Sequence, residues 1–104
     1  SFRSVFMILI ESTVVVKNLN GTTDNKPPKG YGSWLEWWIA QTGKKSPYCS
    51  CTDCLDPAEV GAHVKKVNSD DNRWYIVPLC KSCNRKSSDT TFTVKKSDLV
   101  AVNN

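Results

Sequence analysis

The sequence predicts a small α+β domain, and three observations predict it. Short runs of β-branched and apolar residues recur along the chain at strand length. One segment carries a helical apolar period with a stop signal at its end. Five cysteines are present, four of them in two Cys-x-x-Cys pairs. A chain of 104 residues accommodates one domain, with 1–48 holding strands and a helix, 49–90 a cysteine-bearing core and 91–104 final strands.

In chain order, Val5–Ile10 and Thr13–Val16 are rich in Val and Ile and read as strands. The stretch Asn18–Lys29 contains Asn-Gly and Pro-Pro pairs and reads as a loop. Ser33 and Glu36 then form a capping box ahead of an apolar run, and Gly43 suits the far end, so a helix is expected over Trp34–Thr42. Trp34, Trp37, Trp38 and Gln41 share one face of it at i, i+3, i+4 spacing. Aromatics at this spacing close the core of a small domain, and the alternative is a platform for stacking bases.

A basic connector, Lys44–Pro47, leads to Cys49, Cys51 and Cys54. Val60–Val67 and Trp74–Leu79 read as two strands joined by the polar turn Asn68–Arg73. Cys80–Lys86 opens a helical turn, and Thr91–Val94 and Leu99–Val102 are short closing strands.

Hydrophobic residues make up 39% of the chain. Burial alone gives a domain of this size and composition a marginal core, which a bound metal would reinforce. Zinc takes four soft ligands at tetrahedral corners, and a two-residue spacer lets one tight turn aim two sulfurs at the same ion while its amides bond the thiolates. Cys51, Cys54, Cys80 and Cys83 provide two such turns and are expected to hold one structural zinc. Cys49 is the spare and can stand in for Cys51 through a longer Cys-x4-Cys loop. His63 is the alternative fourth ligand in a three-Cys, one-His site. The odd cysteine count argues against a secreted disulfide scaffold. Val5–Ile10 is too short for a signal-peptide core or a membrane span, so a cytoplasmic protein without membrane association is expected. The net charge of +4 permits contact with nucleic acid without requiring it.

The segment Cys51–Lys86 resembles the HNH nuclease family. The resemblance rests on Cys51-Thr-Asp-Cys54, Gly61-Ala-His-Val64 and Ile76-Val-Pro-Leu-Cys-Lys-Ser-Cys-Asn-Arg-Lys86. It covers about the central third of the chain and implies a treble-clef zinc core built from a β-hairpin and a helix. It places His63 as general base and Asn84 as a contact to a second divalent ion, which is needed only if the module is catalytic. The pattern departs from the family at three positions. Ala62 stands where a metal-binding residue is usual, Tyr75 where an Asn is usual (Asn72 is three residues away), and Asn84 replaces a His. Ala62 cannot ligate a metal, and Asn84 offers one neutral oxygen, a weak ligand for Mg²⁺. Asp70, Asp71 or Asp89 would have to supply the missing carboxylate. A nuclease needs a cation to neutralise charge on the departing oxygen.

Three functions follow as expectations. The first is an HNH-like module that binds DNA or RNA with little or no cleavage, using Lys65, Lys66, Lys81, Arg85 and Lys86 on phosphates. The second is a metal-dependent endonuclease working through His63. The third is a zinc-stabilised protein-interaction module whose tryptophans face a partner.

Overall fold

The computed structural model describes residues 13–19, 26–45, 47–52, 54–67, 69–86 and 89–102. The strand expected over Val5–Ile10 lies outside the described residues. The described elements are strand β1 (Thr13–Asn18), helix α1 (Trp34–Thr42), strands β2 (Val60–Lys66) and β3 (Tyr75–Leu79), helix α2 (Lys81–Asn84), strand β4 (Thr91–Lys95), a 3-10 turn (Lys96–Asp98) and strand β5 (Val100–Ala101).

The five strands form one antiparallel sheet in the order β4-β1-β2-β3-β5. β2 and β3 make the expected hairpin, with His63 opposite Ile76 and Ala62 opposite Val77. The β1–β4 pairing joins residues far apart in sequence, from Thr13 opposite Lys95 to Lys17 opposite Thr91. β4 alternates cleanly: Phe92 and Val94 are buried, while Thr91 and Lys95 are exposed. That period of two is what a strand with one solvated face requires.

The two faces of the sheet carry different layers. Val16, Ala62, Val64, Tyr75, Val77, Leu79, Phe92 and Val94 form one buried cluster with Cys49, Cys51, Cys80 and Cys83. Gly61 and His63 alternate with Ala62 and Val64 and point the other way, under α1. The approach of α1 is close: a Cβ on Gly61 would lie 2.6 Å from the Leu35 nitrogen and the Trp34 carbonyl carbon. Only glycine permits that contact.

Helix α1 has the boundaries its sequence predicts. Ser33 Oγ accepts the Glu36 backbone N–H at 3.1 Å. The Glu36 carboxylate returns to the Gly32 N–H at 2.6 Å, one residue earlier than a reciprocal box would place it. Gly43 closes the helix in the left-handed region at φ 72°, and its N–H donates to Ile39 O. Trp38 is fully buried, whereas Trp34 and Trp37 are half-buried and meet edge to face at 5.3 Å. The core reading therefore holds fully for Trp38 and partly for the other two.

Pro78 sits inside β3, where a missing N–H is normally costly. Leu79 O accepts the Glu59 N–H on the β2 side, while Pro78 O faces outward and accepts the Ser50 N–H. β5 pairs only with Tyr75 and Ile76, so no ladder bond is lost at Pro78. The segment around Ser50 also bonds β4: Thr52 N–H donates to Thr93 O, and Lys95 N–H to Ser50 O. One short segment thus ties β3 to β4, and the sheet curls around the cysteine side. Among the described residues, no helix is long and apolar enough to cross a membrane.

Candidate metal centre

The two knuckles come from elements that the sheet brings to one place. The first is a narrow hairpin: Cys49 N–H donates to Asp56 O, Ala58 N–H to Pro47 O, and Tyr48 bridges Pro57. At its tip, Cys54 N–H turns back onto Cys51 O. The second knuckle follows β3 directly, with Cys80 as the residue that starts α2 and Cys83 buried inside it. The Glu59 carboxylate accepts the Lys81 N–H at 3.0 Å and so holds the first turn of α2. Asn18 holds the other end, its Nδ2 lying 3.1 Å from Cys83 O and 3.0 Å from Lys86 O.

The four thiols that converge are Cys49, Cys54, Cys80 and Cys83, with all sulfurs within 4.8 Å of one another. Cys54 Sγ and Cys80 Sγ are 3.7 Å apart. A tetrahedral ion with metal–sulfur bonds of about 2.3 Å separates its ligands by about 3.8 Å. The donor set and its spacing therefore fit a structural metal ion. No disulfide joins any of the five cysteines.

This set differs from the expected one in a single member: Cys49 stands in place of Cys51. The hydrogen bonds of the first knuckle account for the difference. Cys51 is drawn sideways into a bridge with Val94 of β4, and the Cys49–Asp56 bond turns Cys49 toward Cys54. Cys51 is buried in the same apolar cluster but lies outside the group of four. The Cys-x-x-Cys pattern hid this, because Cys49 and Cys51 lie on the same side of an extended segment and local spacing does not choose between them.

Backbone amides attend the sulfurs as a knuckle requires. The Cys83 N–H beside the Cys80 sulfur draws that thiol below its ordinary pKa. The Asp56 N–H acts the same way on Cys54, but burial and the neighbouring Cys80 and Cys49 thiols outweigh it and leave Cys54 raised. Cys83 is pushed well above the thiol range, first by burial and then by hydrogen bonding with Cys49 and Cys80. A crowded, dry set of thiols resists carrying several negative charges unless a cation joins it.

His63 is not part of this group. Its imidazole lies on the opposite face of the sheet, edge-on to Trp34 at 4.9 Å and to Trp74 at 6.1 Å. Burial among these rings lowers its pKa. Asn84 belongs to α2 on the cysteine side, so the sheet separates the two residues expected to act together. Ala62 is packed in the core and so is Tyr75, whose hydroxyl donates to the Asp71 carboxylate. Asp71 also takes Arg73 and Lys66, and these partners hold its carboxyl well below the usual range. Asp71 is thus engaged in its own turn and does not attend His63 or Asn84. Asp70 and Asp89 are exposed.

The five basic residues have different surroundings. Lys66 is spent on Asp71 and the Tyr75 ring. Lys86 lies over Phe92 at 5.1 Å. Lys65 faces Lys17 across the β1–β2 pair. Lys81 at the start of α2 and Arg85, which caps its C-terminal end, are exposed one helical turn apart.

No family model matches the chain, and no curated protein or solved structure matches it either.

Proposed function

We propose that the chain is a zinc-braced, HNH-like module, with a treble-clef core, that binds nucleic acid without cutting it. The zinc would occupy the Cys49, Cys54, Cys80 and Cys83 group, contributing its binding free energy to folding rather than to chemistry. The second knuckle and its helix would present cations to phosphates.

The observation that carries the binding reading is the pair Lys81 and Arg85. Lys81 opens α2 and Arg85 caps its C-terminal end one turn later; both are exposed, and neither has a carboxylate partner among the described residues. Lys86 follows directly; a second pair of cations, Lys17 and Lys65, sits opposite each other on β1 and β2 on the other face of the sheet, the face of His63. Like charges placed so are unfavourable unless an anion neutralises them. The separation of His63 from Asn84 by the sheet supports a module that does not hydrolyse phosphodiesters.

The test is fluorescence anisotropy with a labelled duplex across salt concentrations. The logarithm of affinity is expected to fall linearly with the logarithm of salt, by about 0.9 per phosphate contacted. Replacing Lys81 and Arg85 by Glu is expected to weaken binding and flatten that slope by about 2. Undetectable binding at low salt would refute the proposal.

A further inference from the structure

The basic connector after α1 lines a cavity that lies apart from the cysteine group. Its volume is about 330 Å³, and its walls are Trp38, Lys44, Lys45, Pro47, Tyr48, Lys95, Ser97 and Asp98. That volume lies at the small end of the range of about 300–1,000 Å³ for ligand pockets.

The floor is fixed by a buried network. Trp38 Nε1 donates to Asp98 O at 2.8 Å, and Ser50 Oγ donates to Asp98 Oδ2 at 2.9 Å. Lys44 Nζ completes it by binding Asp98 Oδ1 at 3.0 Å. These bonds consume the one carboxylate of the lining and one of its three lysines. Lys45 and Lys95 have no acidic partner among the described residues, and both are exposed. Two cations therefore flank a preformed concavity that has no free acidic group to neutralise them. Tyr48 stands at its rim, 66% exposed, although large aromatic side chains are normally packed away.

Aromatic surface beside unneutralised cations is the chemistry that receives a planar ring bearing a phosphate. Bases inside a duplex are already stacked and paired, whereas an unpaired nucleotide offers its faces freely. We infer that this cavity binds one unpaired nucleotide of single-stranded nucleic acid, with Tyr48 stacking on the base and Lys45 and Lys95 holding the flanking phosphates. The inference rests on the nucleic-acid reading above but uses residues remote from α2 in sequence. DNA and RNA present the same ring and phosphate, so both belong in the test.

The experiment compares blunt duplex DNA, the same duplex with a single-stranded overhang, and single strands of DNA and RNA, binding the full zinc-loaded chain. Overhang and single strands are expected to bind about tenfold more tightly than blunt duplex. Tyr48→Ala, and separately Lys45→Glu with Lys95→Glu, are expected to abolish that advantage while leaving blunt-duplex affinity within about twofold, as Lys81 and Arg85 are untouched. Tyr48→Phe keeps the ring and is expected to retain the advantage. All these side chains are exposed, and melting curves with zinc content identify any variant that fails to fold. Equal binding of blunt and overhanging duplex, or an advantage that survives both variants, overturns the inference while sparing the nucleic-acid reading. Absence of binding to every polymer overturns both. Equal binding of a phosphopeptide of matched charge assigns the cavity to phosphoprotein partners and overturns the inference.

Discussion

The imidazole of His63 stands edge-on to the indole of Trp34, with ring centroids 4.9 Å apart and planes at 83°. A general base must reach water and the scissile phosphate. This ring instead packs between α1 and Trp74, on the far side of the sheet from Asn84.

The packing fixes a pH dependence. Burial lowers the folded-state pKa of His63, so the folded protein favours the neutral ring. Below about 6.5 the unfolded chain binds the extra proton and the folded chain resists it, so stability falls as pH drops through that value. Lys65, two residues along the same strand, adds no attraction for a cationic ring. His63→Phe keeps an aromatic edge there and is expected to flatten the fall in unfolding midpoint between about pH 7 and 5. Acid release of any metal held by the cysteine group would act on both proteins alike, because His63 lies outside that group. Equal slopes for the two would show that His63 is not buried as a neutral ring.

The same geometry predicts no phosphodiester cleavage. Supercoiled DNA incubated with the protein and Mg²⁺, Mn²⁺ or Ni²⁺ is expected to remain intact at the level of a His63→Phe control. Nicking by the wild type that His63→Phe removes would restore the endonuclease reading.

Gly61 is required by the approach of α1. An alanine methyl there would meet the backbone of Trp34 and Leu35 at 2.6 Å, and neither end of that contact is a movable side-chain tip. Gly61→Ala is expected to cost about 1–3 kcal/mol in urea denaturation. A change within experimental error would mean that α1 packs less closely on β2.

Asp98 joins three segments through Ser50, Lys44 and the Trp38 indole. Asp98→Ala leaves the buried Ser50 hydroxyl without its acceptor and is expected to destabilise by about 1–3 kcal/mol. Lys44 is half exposed, so Lys44→Ala is expected to cost about 0–1 kcal/mol. Equal losses from the two would place the stabilisation in the ion pair rather than in the buried hydrogen bonds.

Local signals in the sequence located most elements. Ser33, Glu36 and Gly43 set α1 to the residue, and the polar turn before Trp74 set the β2–β3 hairpin. Long-range choices were not legible. The β1–β4 pairing joins Val14 to Val94, and the role of Asp98 depends on Trp38 and Ser50 arriving from elsewhere in the chain. The cysteine set shows the limit most clearly. Cys51-x-x-Cys54 satisfied the template, yet a backbone bridge to Val94 directs Cys51 elsewhere and leaves Cys49 beside Cys54.

Zinc per chain, measured by native mass spectrometry and atomic emission on Cys49→Ala and Cys51→Ala, tests that ligand set most directly. Cys51→Ala is expected to retain one zinc and a cooperative unfolding transition. Cys49→Ala is expected to lose stoichiometric zinc and, with it, the folded state, because structural zinc contributes directly to folding. Retention of zinc by Cys49→Ala together with its loss from Cys51→Ala would contradict the assignment.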